Sequence, residues 1–439
     1  MGMRVVVVGA GPTGLLVGAA LAERGHEVVA VDRDPGPGRQ GHWQRRGVMQ
    51  FDHAHGFRPQ VSDVLQRHWP TAHRAWLAMG AQPRDALPGE VTSGLSSRRI
   101  TFERALRQAA DSTPRLRVRH GNVLGLQEHR GQVVGVRIDG QVVGSDLVID
   151  AAGRSSRIAP ATAARSDAVV GGDCGIAYVN RPYRLLAGAG PGPISSPLGW
   201  FGSFDGYLVL LFTHERGHYS VVLVRPTANA GLKDLRHDAA FDVACRMIPG
   251  LADWTDSRRS TPTGSTMAGG ALRNTYRPQH RVPGLVAIGD AVATTAPTAG
   301  RGIAMAYQQV DEFLRLIDAG TDPRTIADPF GAWCDRAMLP WVLDHISTDD
   351  DAARRWQGGD VDLTRPLPSD LIVAAAQVEP RLREHIGPYL GMVALPESLA
   401  PAEPLAREVF RTGWRPPRAE GPTADELVDI VRNLPAAAM

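Results

Sequence analysis

The chain has 439 residues, 43% of them hydrophobic and 21% charged, with a formal net charge of +2. That length suits two or three domains and a sizeable core, and so small a charge gives no electrostatic case for nucleic acid or a membrane surface. Cys174, Cys245 and Cys334 are too widely spaced for a CxxC pair or a disulfide framework, so a reducing cytoplasm is the expected compartment.

The first element is RVVVV (4–8), a continuous β-branched run of the kind that forms a strand covered on both faces. GAGPTG follows, then a helix from about Thr13 to Arg24, then HEVVAVDRD as a second strand ending in acid. The uncharged stretch Val5 to Ala22 is long enough to imitate a membrane span, but four glycines and Pro12 interrupt it and the pattern is strand, turn, helix. No other stretch could cross a bilayer. Gly9, Gly11 and Gly14 form GxGxxG between strand and helix: the first permits the turn, the second lets the backbone approach a pyrophosphate, the third lets helix and strand pack. The helix dipole and free N–H groups there favour a diphosphate. Asp32 ends the second strand 18 residues after Gly14, in position to accept from an adenosine ribose. The motif alone does not separate NAD from FAD. Arg33 suggests either a partner for a 2′-phosphate or an exposed strand-end side chain.

Helical pattern returns around 58–68 and 100–111, and 123–153 reads as hairpin strands with turns at Arg130-Gly131 and Gly140, then a buried strand. From about 176 to 270 strands dominate. YLVLLFTH and YSVVLVRP (207–214 and 219–226) form an antiparallel hairpin, preceded by the aromatic stretch GWFGSFDGY. LVAIGD (285–290) is a further buried strand and a helix runs from about 301 to 317. The remainder reads as helical with proline-rich breaks, ending in a tail, PAAAM, expected to fray.

GDAVATTAPTAGRGIAMAY (289–307) decides between the dinucleotides. A strand delivering Asp290, followed by a helix that begins near Gly300–Gly302, is unnecessary for a nicotinamide but suits a flavin. The ribityl hydroxyls can meet a carboxylate, and the N1–C2=O edge gains negative charge on reduction.

With these blocks in hand, VVVVGAGPTGLLVGAALAERGHEVVAVDRD, RRGVMQ and GLVAIGDAVATTAPTAGRGIAMAYQQV resemble the FAD-dependent aromatic hydroxylase superfamily, the p-hydroxybenzoate hydroxylase-like fold, over about residues 1–325. The resemblance implies an α/β fold. A discontinuous GR2-type Rossmann-like FAD-binding domain (1–75, 98–175 and 270–325) would carry an inserted, mostly antiparallel β-sheet substrate domain (76–97 and 176–269) and a helical C-terminal region (326–439). It implies that Gly9, Gly11, Gly14, Asp32, Arg33, Arg45, Arg99, Gly153, Gly289, Asp290, Gly300, Arg301 and Gly302 contact FAD. Gln50, His53, His55 and Pro297 would lie beside the flavin. His53 and His55 make a His-x-His pair with no third ligand in sight, so no metal is expected.

The resemblance further implies a monooxygenase. Reduced FAD and O₂ would form a C4a-(hydro)peroxide that hydroxylates, epoxidises or Baeyer–Villiger-oxidises an apolar or aromatic small molecule, in keeping with secondary metabolism. NADPH or NADH would be the reductant. Trp200, Phe201, Phe204, Tyr207, Phe212 and Tyr219 are candidate pocket residues, although period-two aromatics are often plain core. Two departures matter. Ala152 stands where NADPH- or NADH-using members carry an aspartate before Gly153, which makes a separate flavin reductase an alternative source of electrons. Halogenating members use a lysine in the FAD region and a WxWxIP motif, whereas Lys233 is this chain's only lysine and the motif is absent. The alternatives are an FAD-dependent oxidase, dehydrogenase or reductase on the same fold, and a flavin-free binding protein resembling the Rab GDP-dissociation inhibitors.

Overall fold

The computed structural model describes residues 2–38, 42–45, 47–158 and 169–434; the PAAAM tail lies outside the described residues. β1 (Arg4–Val8), α1 (Pro12–Glu23) and β2 (Glu27–Asp32) make the expected βαβ unit. After a 3₁₀ turn at Met49–Asp52 come α2 (Pro59–His68), α3 (Pro70–Ala78), the short pair β3 (Gln82–Pro83) and β4 (Leu95–Ser96), and α4 (Arg99–Asp111). β5 (Leu116–His120) leads into the meander β6 (Val123–His129), β7 (Gln132–Ile138) and β8 (Gln141–Gly144), and then β9 (Leu147–Asp150).

β10 (Val170–Asp173) precedes the long strands β11 (Ile176–Leu185), β12 (Gly199–Phe204), β13 (Tyr207–Thr213) and β14 (His218–Pro226). Helices α5 (Asp238–Met247) and α6 (Pro249–Thr255) follow, then β15 (Ser260–Pro262), β16 (Met267–Gly269) and β17 (Arg273–Tyr276). The chain returns through β18 (Leu285–Ala287) and β19 (Ala293–Thr294) to α7 (Gly302–Asp318). It ends with α8 (Ala327–Ala337), α9 (Leu339–Trp356), α10 (Ser369–Ala375), α11 (Arg383–Leu390), α12 (Glu403–Arg411) and α13 (Ala424–Arg432).

The first sheet is parallel, in the order β18-β9-β1-β2-β5. Its period-two alternation explains RVVVV: Val5 and Val7 face the core shared with α1, α4 and α7, while Val6 and Val8 face the meander through Val133, Val136 and Ile138. Both faces are covered, so no polar residue is tolerated there. The second large sheet is antiparallel, in the order β12-β13-β14-β11-β15, with β16 also paired to β11. It too has two buried faces. Val209, Leu211, Val221 and Leu223 face α5, α6 and α13, whereas Leu208, Leu210, Val222 and Val224 face the loop containing Met49 and Ala54.

The C-terminal helices divide between two cores. Residues of α8–α12 join the core of the parallel sheet, and α13 packs under the antiparallel sheet through Leu427, Val428 and Val431. α13 starts with a capping box in which Thr423 and Glu426 satisfy each other's backbone N–H groups. Trp76, Ala81 and Leu95, expected with the substrate sheet, share the core of the parallel sheet instead. No helix among the described residues is long and apolar enough to cross a membrane.

Candidate cofactor groove

The three glycines after β1 differ in what requires them. A Cβ on Gly9 would lie 2.4 Å from the Ala151 carbonyl oxygen, and Gly9 has φ +103°, a conformation disfavoured for other residues. A Cβ on Gly14 would lie 1.9 Å from the Gly9 carbonyl oxygen. Both glycines are needed by the fold itself. At Gly11 a Cβ would meet only Arg45 Nη1 at 3.7 Å, an ordinary contact. The protein alone does not demand glycine there, whereas the close approach of a pyrophosphate does. This cradle, at the N-terminus of α1, fits a dinucleotide.

Asp32 at the end of β2 accepts from Ala10 N at 2.7 Å, from Asp34 N at 2.9 Å and from Arg45 Nη2 at 3.0 Å. A carboxylate offers about four acceptor positions, so one remains for a ribose hydroxyl. Arg45 also donates to Glu103 at 2.6 Å, and Glu103 in turn accepts from Arg99 at 2.6 Å. Two arginines and two buried carboxylates thus form one chain along the groove. The carboxylates around Arg45 outweigh its burial and hold its pKa above the usual guanidinium range. Glu103 sits four residues after Arg99 on α4, a helical spacing that could have marked it from sequence. Arg33 is exposed beside Gly47.

The second passage abuts the first. A Cβ on Gly289 would meet Thr13 Cγ2 at 3.0 Å, and the Gly289 N–H donates to Gln309 on α7 at 2.8 Å. Sequence positions about 280 residues apart therefore form one groove. Burial raises the Asp290 pKa, against the positive charges of Arg99, Arg154 and Arg277. Desolvation leads, and the three guanidinium groups are what make an ionised carboxylate tenable there. The turn before α7 has Gly300 in the left-handed region at φ +62°, and a Cβ on Gly302 would meet nothing within 4 Å.

Arg301 departs from expectation. Its guanidinium turns away from the groove, donating to Asp344 at 3.2 Å and to His345 Nε2 at 3.2 Å, and lies between Trp341 and Tyr389 at 4.5 and 4.7 Å from their ring centroids. These contacts to α9 and α11 fasten the turn. Arg58 does the same from the other side, donating to Ala299 O at 2.8 Å and Leu390 O at 2.7 Å. Neither fastening is visible in sequence spacing, because its partners come from distant elements.

Ala152 and Gly153 close the groove beyond β9. Asp150 accepts from Ala152 N at 3.0 Å and from Ser156 Oγ at 2.6 Å, so its carboxylate braces the turn. Gly153 has φ +80°, and a Cβ there would meet nothing within 4 Å. Gln50 lies half-buried in the 3₁₀ turn, His55 packs on Phe57 with centroids 4.9 Å apart, and Pro297 is exposed. His53 Nδ1 is 2.9 Å from the Tyr178 hydroxyl. Burial, with Arg99 nearby, lowers the His53 pKa to about 4, and His55 is also pushed well below its usual value.

The six aromatic pocket candidates fall on opposite faces of the sheet. Phe201 and Phe212 pair at 5.3 Å on the face toward the groove, where Phe212 lies close to Gly56. Phe204, Tyr207 and Tyr219 belong to the core against α5, α6 and α13, and Trp200 packs on Gly250 of α6. These four are structural, because strand alternation turns them away from the groove. Among the described residues no group of three or more His, Cys, Asp or Glu could hold a metal.

Residues 7–68 match the NAD(P)-binding Rossmann-like domain. The whole architecture is shared with the flavin-dependent brominase Bmp2 (TM-score 0.60, 15% identity, covering 94% of this chain and 99% of that one). The chain shares the fold of this flavin-dependent enzyme. PqsL of Pseudomonas aeruginosa, described as a probable FAD-dependent monooxygenase, shares this fold at TM-score 0.59 and 15% identity, over 82% of this chain and 99% of that one. The anhydrotetracycline hydroxylase OxyS of Streptomyces rimosus shares it at TM-score 0.59 and 17% identity, over 90% and 77%. No curated protein matches the sequence. The fold hosts bromination and hydroxylation alike, so the reaction must be argued from this chain's own groove.

Proposed function

We propose that the chain is an FAD-dependent monooxygenase acting on a largely apolar small molecule, with FAD lying from the Gly9–Gly14 turn to the Pro297–Gly302 turn. The observation that carries this reading is Gly11, which has room for a side chain in the protein and none once a pyrophosphate approaches. Arg45 and Arg99 would offset the phosphate charge, Asp32 would accept from the adenosine ribose, and Asp290 from the ribityl chain. Bound FAD would supply the redox chemistry, by which two electrons from NADPH or NADH and one O₂ would leave one oxygen atom in the substrate and the other in water. The chain's task is to orient the substrate and exclude water, which the apolar groove-facing side of the sheet suits.

Two features support this choice within the fold. Lys233, the only lysine, is exposed in a 3₁₀ segment next to α5, on the far side of the sheet from the groove, which argues against halogenation by a groove lysine. Ala152 offers no carboxylate and Asp150 is engaged with Ser156, which favours reduction of the flavin by a separate reductase using NADPH or NADH. Incubation under ¹⁸O₂ with a reductase and candidate aromatic substrates tests the reaction class: ¹⁸O in product supports a monooxygenase, and an oxidised product without label supports an oxidase or dehydrogenase.

A further inference from the structure

Among the described residues, the groove-facing side of the antiparallel sheet carries buried polar atoms without a hydrogen-bond partner, on Asn180 and on His214 at the end of β13, and only the Asn180 atom is fixed as a donor. Asn180 on β11 is fully buried, at 0% exposure. Its Oδ1 accepts from Ala54 N at 3.1 Å, and this contact fixes which way the amide faces, since a backbone N–H can only donate. The amide Nδ2 is left buried with no hydrogen-bond partner.

The surroundings make that donor costly. Asn180 stands opposite Val222 on β14 and Met267 on β16, and Tyr178 precedes it by two residues on the same face. Met49, Ala54, Leu210 and Phe212 belong to the same apolar cluster. Tyr178 cannot swing across to serve the amide: its hydroxyl is committed to His53, and its ring lies against Gly269, where a Cβ would come 2.3 Å from Cζ. An unpaired buried amide donor is a standing penalty that a ligand oxygen would remove.

We propose that Asn180 Nδ2 is the polar anchor of the substrate pocket, and that the substrate is an apolar molecule whose one recognised polar group is a carbonyl oxygen donated to by this amide. A carboxylate fits the immediate neighbours poorly, because Val222, Met267 and Ala54 offer it no compensating charge. The inference rests on the reading of this groove as the substrate side of a flavin site, and it makes Asn180 a specificity residue.

The test uses the full-length protein incubated with FAD and two probes of matched size, 2-acetylnaphthalene and 2-ethylnaphthalene, with binding measured by equilibrium dialysis. The native protein should hold the ketone about tenfold more tightly than the hydrocarbon, the worth of one buried hydrogen bond. Asn180→Leu, similar in size and without a donor, should bring the ratio close to one; Asn180→Ala, checked for native circular dichroism, should do the same. Equal binding of both probes by the native protein, or a ketone preference that survives in both variants, overturns the proposal. FAD uptake is read separately from visible absorbance. A yellow protein without the preference contradicts the anchor alone, while an Asn180-dependent preference in a protein that takes up no FAD upholds the anchor and contradicts the cofactor reading.

Discussion

Arg301 lies against Trp341 with its guanidinium carbon 4.5 Å from the ring centroid, so the turn that opens α7 is fastened to α9. The same guanidinium neutralises Asp344, which is itself buried. Arg301→Ala should therefore lower the unfolding free energy by about 3 kcal/mol, mostly because it leaves a buried carboxylate unpaired. Trp341→Ala should cost a similar ~3 kcal/mol through the cavity it creates. The double variant should fall short of the sum, since the two changes remove one shared contact. Urea unfolding of the three variants measures this, and strict additivity would mean that the stacking contributes nothing.

Arg45 is the hinge of the Asp32–Arg45–Glu103–Arg99 chain. Arg45→Met keeps much of the side-chain volume and removes the charge shared by two buried carboxylates. The expected loss is about 3 kcal/mol of stability, together with weaker FAD binding. Arg45→Lys should recover part of the stability and less of the binding, because an ammonium group cannot reach both carboxylates with a planar fork. Thermal unfolding and FAD titration of the pair of variants separate the two effects.

The buried histidines predict how stability responds to acid. His345 Nε2 must accept from Arg301, which only donates, so His345 is neutral; burial, then the charges of Arg301 and Arg58, lower its pKa to about 3. Burial likewise lowers His53 and His214 to about 4. An unfolded histidine titrates near 6.5, so between that pH and about 4 the unfolded chain binds more protons than the native one. This contribution is complete above about pH 6.5 and is lost as the pH falls. Asp349 acts in the opposite sense: burial raises it to about 6, so it costs stability near neutrality and recovers below that, offsetting one histidine. The urea midpoint should drop from about pH 7 to about pH 5, and His345→Gln, which keeps an acceptor for Arg301, should flatten the slope. A midpoint unchanged over that range contradicts the assignment of these histidines as neutral.

The parts of this molecule that could be read from sequence are those specified by neighbours in the chain. Val5–Val8, the glycine turn and Asp32 lie within one βαβ unit, where a two-residue period and a helical period sit side by side. The place of Asp290 just after a buried strand could be read because strand and turn adjoin in the chain. The facing of the aromatic residues was not: Tyr207 and Phe212 both sit on β13, and only the arrangement of helices decides which side meets the groove. Arg301 has the sequence signature of a ligand contact because its partners Asp344 and Tyr389 lie 43 and 88 residues further on, beyond any local pattern. Asn180 is silent for a related reason. An asparagine inside a strand carries no signal until its buried amide is found without a partner.

The cofactor groove stands most directly on the contrast between two glycines of one turn, measured by FAD titration and thermal unfolding of the native protein, Gly11→Ala and Gly14→Ala. A Cβ at position 14 collides with the Gly9 carbonyl at 1.9 Å, so Gly14→Ala should be destabilised by roughly 2 kcal/mol or more with or without FAD. A Cβ at position 11 makes only an ordinary contact, so Gly11→Ala should unfold without FAD at the native temperature while its FAD affinity falls at least about tenfold. The native protein should take up FAD and turn yellow. A native protein that stays colourless with added FAD, or a Gly11→Ala variant that binds FAD as tightly as the native protein, contradicts the cofactor groove described above.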